Sequence, residues 1–296
     1  MDATAPFLWR RPASPAGRRE PTAHPRDGLA GPESVAWKIN SEVVLLLGWG
    51  PAILLQFAHP LVAAGVAEHS RFLSEPKGRL RRLRHTLRAM LALTFGTREQ
   101  VAQAARGINA IHDRVHGSLS KPAGPFPAGH GYSAHDPSLL RWVHATLLDT
   151  FPRVYELYVG PLSQEEKDRY CAEASGIEAL LGIPDGYLPR STAELRAYMN
   201  AMYASGEIAV DATARNLADE IIHPPLPRVA GPLLGLAQLP TIGLLPPPIR
   251  ESYGFTWGRR RDAALHHSAR LIRRLVNLAP PALRYWPPAR RRSTAT

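Results

Sequence analysis

The sequence contains almost no cysteine, because Cys171 is the only one in 296 residues. A single cysteine excludes an internal disulfide and a metal cluster held by several thiolates. The N-terminal segment is also poor in apolar residues, and residues 1–26 lack the apolar run of a secretory signal peptide. Both observations are compatible with a cytoplasmic protein, which is the location we expect.

The motifs that define several common enzyme classes are missing as well. The chain has no G-x-G-x-x-G or Walker loop, no H-E-x-x-H zinc motif and no G-x-S-x-G nucleophile elbow. The paired Glu-x-x-His motifs of a di-iron bundle are absent too. No segment alternates apolar and polar residues in the manner of a β-strand. The sequence therefore predicts an all-α protein and argues against zinc, di-iron or serine-hydrolase chemistry.

The longest apolar stretch covers residues 43–70, VVLLLGWGPAILLQFAHPLVAAGVAEHS, and is uncharged until its last few positions. Its length would span a bilayer. However, Gln56 and His59 lie in its middle, where unpaired polar groups are costly in hydrocarbon, and two prolines interrupt it. We therefore predict two short helices, about 52–59 and 60–70, in the core of a helical protein, and no transmembrane span.

Apolar residues at helical spacing, together with helix start and stop signals, predict further helices along the chain. A first helix would begin after Glu33 or Ser34, and the other predicted helices cover 79–95, 97–117, 138–160, 164–181, 193–204, 211–222 and 256–277. Pro152 is expected to kink or end the first part of its helix. We expect one all-α domain of about ten helices over 31–285, with disordered basic tails at 1–30 and 286–296.

The net charge of +11 is concentrated in arginines near both ends of the chain. A basic surface attracts nucleic acid or anionic lipid. The sequence has neither a zinc-finger cysteine pattern nor the aromatic motif of an RNA-recognition domain, so we predict no nucleic-acid partner. Weak contact with a membrane surface remains an alternative, and the sequence gives no prediction of the oligomeric state.

Three of the 12 histidines, His59, His112 and His144, lie in apolar surroundings. A lone histidine on an apolar face is most often a hydrogen-bonded core residue. A single helical histidine between apolar walls, with arginines nearby, also fits axial ligation of haem. The basic residues of segment 79–86 would then bind the propionates, unless they form only a solvated helix face. In the predicted helix, His116 lies one turn after His112.

Several segments occur together in a fixed order, namely LLLGWGPAILLQFAHPLVAAGVAEHSRF, RHTLRAMLALTFGT, INAIHDRVHG, YSAHDPSLLRWVHATLLDT and, more weakly, LRAYM and LPPPIRESYGFTW. In this respect the chain resembles the DUF2236 family, which includes the MpaB-type oxygenases and the rubber oxygenases, or latex clearing proteins. The resemblance covers about residues 35–285. It implies an all-helical fold with globin-like packing, a haem b cofactor and the use of dioxygen.

The resemblance also implies roles for individual residues. The iron-ligating histidine of the I-H-x-x-V block corresponds to His112, with His116 as the alternative. Arg82 and Thr86 match an Arg and a Thr close to the haem, so that Arg82 would anchor a propionate or stabilise a developing anion. Where the rubber oxygenases have a lysine between them, this chain has His85, which would be a second axial ligand, a distal donor to oxygen, or neither.

Glu68 corresponds to the proposed catalytic base of the rubber oxygenases. His59 would be a cofactor-side residue or a structural hydrogen-bond donor. The apolar side chains around them, Leu54, Leu55, Phe57 and Val62, would form the walls of a substrate site. The change at position 85 and the missing secretion signal argue against polyisoprene as the substrate.

These expectations together predict a haem b-dependent oxygenase that acts with dioxygen on an apolar small molecule, such as a prenyl or lipid-like metabolite. The assignment of the substrate depends on wall chemistry and on family analogy. Two alternatives remain open from the sequence. One is a haem-binding or small-molecule-binding protein without turnover, and the other is a peripheral membrane protein that uses the apolar stretch and the basic ends.

Overall fold

The structure is a computed structural model that describes residues 29–69, 76–223 and 231–293, without the side chains of 76–83, 231–233 and 291–293. Residues 1–28 of the predicted tail 1–30 therefore lie outside the described residues. Within the described residues the fold is helical apart from one short antiparallel hairpin. The predicted all-α class is confirmed, whereas the globin-like packing and the domain bounds stay predictions.

The helices of the described residues, in chain order, are α1 Val35–Asn40, α2 Trp49–Phe57, α3 Pro60–His69, α4 Pro76–Phe95, α5 Arg98–His112, α6 Pro137–Tyr158, α7 Gln164–Ala174, α8 Glu178–Leu181, α9 Thr192–Ser205, α10 Ala212–Ile222, α11 Gly231–Gly243, α12 Pro247–Ser252, α13 Arg259–Leu278, α14 Pro281–Arg284 and α15 Pro287–Ser293. Two 3₁₀ helices cover Val43–Gly48 and Ser175–Ile177. Strands β1 His116–Ser118 and β2 Gly131–Ser133 form the hairpin, with His116 opposite Ser133.

The predicted start signals are confirmed in several helices. The Ser34 side chain accepts a hydrogen bond from the Trp37 N–H, which places the start of α1 at Val35. Thr97 begins α5 with a complete capping box, because Gln100 also accepts from the Thr97 N–H. Asp136 accepts from the Ser138 N–H at the start of α6. Each cap satisfies backbone donors that the first turn of a helix leaves unpaired.

The predicted end of one helix is wrong. The helix that begins after Thr97 ends at His112 instead of near Gly117, because residues from His116 onward pair as strand β1 with β2. His112 and His116 therefore do not share a helical face. The helix predicted over 138–160 covers Pro137–Tyr158, so Pro152 lies inside it and does not end it. At the C-terminal end of the chain, α15 covers most of the segment that we expected to be a basic tail.

The apolar stretch forms α2 and α3, which meet at an angle of 106°. The two predicted helices are thus confirmed, and Leu54, Leu55 and Ala58 next to the break are completely buried. Among the described residues, no single helix has the length and apolar character needed to cross a membrane, and only this bent pair passes that test, when its two helices are taken together. Helices α6, α10 and α11 pack around α2.

Remote residues donate hydrogen bonds to backbone carbonyls at the break, in addition to the local bonds that the Leu54 and Gln56 carbonyls accept from the Ala58 and His59 N–H groups. The Tyr253 hydroxyl donates to the Leu54 carbonyl at 2.7 Å. The Trp142 indole N–H lies 3.4 Å from the Gln56 carbonyl, and the Ala209 N–H donates to the Ala58 carbonyl at 2.9 Å. Because a hydrogen bond within a protein contributes a net of about 0.5–1.5 kcal/mol, these three bonds stabilise the bend.

His59 lies in the break itself and is almost completely buried. Its Nδ1 accepts a hydrogen bond from the Leu61 N–H at 3.3 Å, and its ring lies 5.5 Å from that of Phe126. Burial lowers the pKa of His59 to about 4, an effect that the nearby Asp136 carboxylate partly opposes. The imidazole is therefore neutral at pH 7 and serves the fold as a hydrogen-bond acceptor.

A buried ion pair connects the start of the apolar stretch to the C-terminal part of the chain. The Glu42 side chain is 2 % exposed, and the Arg284 guanidinium donates to its carboxylate with Nε at 2.9 Å and Nη2 at 2.7 Å. The same segments also pair through the Trp286 N–H and the Ser41 carbonyl at 3.0 Å. Such a pair is costly to break on one side, because the remaining charge stays buried.

We expect Arg284→Ala to lower the free energy of unfolding by about 3–5 kcal/mol, because it leaves the Glu42 carboxylate buried without its counter-charge. The double variant Glu42→Leu/Arg284→Leu should lose less than Arg284→Ala alone. The exposed pair Lys38–Glu166 provides the control, and Lys38→Ala should cost less than about 1 kcal/mol. Urea denaturation measures all three, and equal losses in Arg284→Ala and Lys38→Ala would contradict the role of the pair.

The lowered pKa of His59 predicts a loss of stability in mild acid. The unfolded chain binds a proton at His59 below about pH 6.5, whereas the folded chain binds it only near pH 4. The contribution of His59 to the free energy of unfolding is therefore fully present above about pH 6.5 and is lost as the pH falls towards 4. The loss from this group between pH 7 and 5 is about 2 kcal/mol. His59→Asn should reduce the acid-induced loss by that amount in urea titrations, whereas His267→Asn, at an exposed site, should not.

Candidate functional site

Tyr132 on β2 is the buried side chain at which the hairpin meets the end of α3. Its ring packs against two glycines, Gly65 on α3 and Gly117 on β1. A Cβ atom on Gly117 would lie 2.7 Å from the Tyr132 hydroxyl, so the close approach of ring and strand requires glycine at this position. The phenol is thereby held in one place, with its hydroxyl directed towards the last turn of α3.

The Tyr132 hydroxyl donates a hydrogen bond of 2.5 Å to Oε2 of Glu68. His69 Nε2 lies 3.2 Å from the same hydroxyl oxygen. Burial raises the pKa of Tyr132, and the hydrogen bond to Glu68 raises it further, so the hydroxyl keeps its proton and acts as a donor. Glu68 and His69 are themselves exposed, which places an oriented carboxylate at the surface of the protein.

His112 is the last residue of α5 and is half-buried. Among the described residues, no group forms a hydrogen bond with its buried Nδ1 atom. Burial lowers the pKa of His112, the nearby His135 lowers it further, and Asp113 opposes the shift. The imidazole is therefore neutral at pH 7, and neutral imidazole is the form that binds a metal ion.

Residues that follow His112 connect it to the hairpin. The ring of His135 contacts the ring of His112 edge-on at 5.6 Å, and His135 Nε2 lies 2.7 Å from Asp113 Oδ1. The exposed His116 on β1 lies near α3, with its ring 6.5 Å from that of His69. The hairpin therefore joins the end of α5, which contains His112, to the end of α3, which contains Glu68.

Helix α4 packs against α5 and contains three of the predicted site positions. Positions 82, 85 and 86 lie within one turn of this helix. The side chains of His85 and Thr86 are exposed. The Arg82 side chain lies outside the described residues, so its proposed contact with a propionate stays a prediction.

Other predicted site residues lie away from this group. His59 precedes the first turn of α3, whereas Glu68 lies in its last turn, and the rise of a helix separates them by about 13 Å. The structure therefore does not bring His59 to Glu68. Leu54, Leu55 and Phe57, which we expected to form substrate walls, are buried in the main hydrophobic core.

Sequence reasoning gave no role to several residues that the structure brings to this group. The main ones are Tyr132, His69 and His135. Tyr132 and His135 both lie in the YSAHD segment, which is one of the segments of the family resemblance and could have indicated a role for them. Asn109, one turn before His112, has a buried Oδ1 without a hydrogen-bond partner among the described residues. On α6, the buried Nε2 of His144 likewise has none there, and burial lowers the pKa of His144 to about 4.

The described residues provide no group of three or more His, Cys, Asp or Glu side chains arranged to hold a bare metal ion. They do provide a neutral imidazole at the end of α5, His112, with a buried nitrogen that they leave unpartnered, as they also do at His144 on α6. A haem iron already has the porphyrin nitrogens as ligands and needs only an axial ligand from the protein. The side chains at this site therefore fit a haem better than a metal ion bound by the protein alone.

In a comparison with protein families, residues 37–274 match the family described as ER-bound oxygenase mpaB/B'/Rubber oxygenase, catalytic domain. The matched segment runs from α1 into α13 and includes His112, Glu68 and the hairpin. No curated protein and no solved structure matches the chain. Because the matched residues make up well over half of the sequence, the chain belongs to the family of mpaB/B' and rubber oxygenase catalytic domains.

Proposed function

We propose that the protein is a haem b-dependent oxygenase that acts with dioxygen on an apolar small molecule, such as a prenyl or lipid-like metabolite. Membership of an oxygenase family supports the reaction class. The observation that carries the haem assignment is His112, a neutral imidazole with a buried Nδ1 atom that no described residue satisfies. When bound, haem would supply the iron centre at which dioxygen is activated.

His112 would be the axial ligand in this proposal. Its lowered pKa leaves a ring nitrogen lone pair free at pH 7, so that iron need not displace a proton. The edge-on contact with His135 restricts rotation of the ring, and the 2.7 Å contact between His135 and Asp113 holds that neighbour in place. The alternative ligand His116 lacks this support, because it lies exposed on β1.

Helix α4 would supply the polar environment of the cofactor. Arg82 would bind a propionate or stabilise a developing anion, since a guanidinium forms paired hydrogen bonds with a carboxylate. Thr86, one turn later, would add a hydroxyl group. His85 would face the distal side as a donor to oxygen or as a second ligand. The packing of α4 against α5 supports these roles by placing the three positions on the helix next to that of His112.

Glu68 would act as the base that takes a proton from the substrate. The hydrogen bond from Tyr132 fixes one carboxylate oxygen and leaves the other available to accept that proton. A positioned general base contributes about 10²–10⁴-fold to a rate. Tyr132 would act through Glu68, because its own proton is retained at neutral pH. Half-buried Val66 and Ala67, next to Glu68 in sequence, would contact an apolar substrate.

The axial role of His112 can be tested by absorption spectroscopy of protein reconstituted with hemin. We expect a Soret band and a ferrous carbon monoxide spectrum in the wild type, and loss of the bound-haem spectrum in His112→Ala. The matched variant His116→Ala should keep the spectrum, because that residue is exposed on β1. A wild type without a Soret band would sink the haem assignment. The opposite pattern in the two variants would move the ligand to His116.

The link between Tyr132 and Glu68 can be tested by non-additivity. We expect Glu68→Gln to lower kcat by about 10²-fold or more, since it removes the base. Tyr132→Phe should lower kcat by about tenfold, since it removes one charge-assisted hydrogen bond. The double variant should be no slower than Glu68→Gln, because Tyr132 acts through that carboxylate.

The measurement is dioxygen consumption by haem-loaded protein, with squalene as the prenyl probe. An intact Soret band in all three variants serves as the control for cofactor binding. Losses that multiply in the double variant would show that Tyr132 does not act through Glu68.

A further inference from the structure

Helix α13 has an apolar stripe that is not packed against the rest of the protein. Its inner face buries Leu265 and Ala269 in the core. Away from that face, Leu271 is 55 % exposed, Leu275 is 59 % exposed and Leu278 is 83 % exposed. Spacings of four and three residues place these three leucines on one stripe of the helix surface. The stripe is therefore a continuous apolar strip along the second half of α13.

A further exposed leucine follows shortly after the end of the helix. Leu283 on α14 is 73 % exposed, and the Leu283 N–H donates to the Pro280 carbonyl, which keeps α14 close to the end of α13. The other large apolar side chains classed as exposed in the described part of the chain, Leu46 and Ile111, are less so, at 38 % and 44 %. The most exposed leucines are therefore grouped in one place, and grouped apolar exposure marks an interaction surface.

The leucine strip is bordered by positive charge. Arg270 and Arg274 are exposed and, at 100° per residue, lie on the side of the strip away from the core-facing residues. The whole helix contains six arginines and one acidic residue, Asp262. A helix with leucines on one face and arginines beside them has the character of a segment that lies in a membrane interface.

We propose that this leucine–arginine face, formed by Leu271, Leu275, Leu278, Leu283, Arg270 and Arg274, docks onto an anionic lipid surface. The leucines would enter the boundary between headgroups and acyl chains, and the arginines would contact phosphate and carboxylate groups. A second copy of the chain fits this face less well, because a symmetric contact would bring the arginines of both copies together.

This docking surface is separate from the candidate haem site and does not depend on it. The family match ends at residue 274, so Leu275, Leu278 and Leu283 follow the matched segment, whereas Arg270, Leu271 and Arg274 lie within it. An apolar substrate would be most concentrated in the same lipid surface.

The test is co-sedimentation of the full-length protein with vesicles of phosphatidylcholine alone or of phosphatidylcholine mixed with phosphatidylserine. We expect binding to the mixed vesicles that weakens as salt is added, and little binding to phosphatidylcholine alone. Leu271→Ser/Leu275→Ser should reduce binding by about tenfold or more, because two apolar side chains that would enter the lipid are lost. Arg270→Glu/Arg274→Glu should reduce it by at least about tenfold, because two attractive charges become repulsive.

Two control variants carry the same chemical changes elsewhere. Arg98→Glu/Arg196→Glu changes the net charge equally at exposed positions on other helices, and Ile111→Ser removes an exposed apolar side chain from α5. Both should bind the mixed vesicles as the wild type does. Far-ultraviolet circular dichroism confirms that every variant is folded.

Three results would overturn the proposal. The first is failure of the wild type to bind the mixed vesicles. The second is binding of the α13 variants as tight as that of the controls, which would assign binding to another part of the chain. In the third, light scattering would show a dimer that Leu271→Ser/Leu275→Ser converts to a monomer, which would assign the face to a second copy of the chain.

Discussion

The break between α2 and α3 is the constraint on which the rest of the fold depends. The bend of 106° lies inside an apolar core, and donors from the surrounding protein add to the local hydrogen bonds of the backbone carbonyls there. Those donors are Trp142, Ala209 and Tyr253, from three distant parts of the chain. The same bend sets the direction of α3, which brings its last turn, with Glu68, to the hairpin.

The hairpin brings the residues of the candidate site together on the helical scaffold. It ends α5 at His112, so that the imidazole lies where the helix meets β1 rather than along a helix face. It also positions Tyr132, which fits between two glycines and holds the Glu68 carboxylate. A pair of three-residue strands therefore connects a candidate metal ligand to a candidate base that lies on a different helix.

The features that the sequence predicted are those with a local cause. The apolar stretch, its break, the caps at Ser34, Thr97 and Asp136, and the oxygenase family follow from neighbouring residues or from whole segments. The hairpin could not be predicted from the sequence, because three-residue strands show too little alternation to be recognised. The Glu42–Arg284 pair could not be predicted either, because 242 positions separate its partners. The roles of Glu68, Arg82, His85 and Thr86 and the cytoplasmic location stay predictions.

The three histidines in apolar surroundings differ in the hydrogen bonds that their ring nitrogens form. Burial lowers the pKa of each imidazole, so all three are neutral at pH 7. The Nδ1 of His59 is satisfied by the Leu61 N–H, which explains the residue by the fold alone. His112 and His144 each retain a buried nitrogen without a partner among the described residues, at a cost of about 1–3 kcal/mol. Only His112 also contacts His135 and adjoins the hairpin, so a ligand that satisfies its imidazole would lie beside the carboxylate that Tyr132 orients.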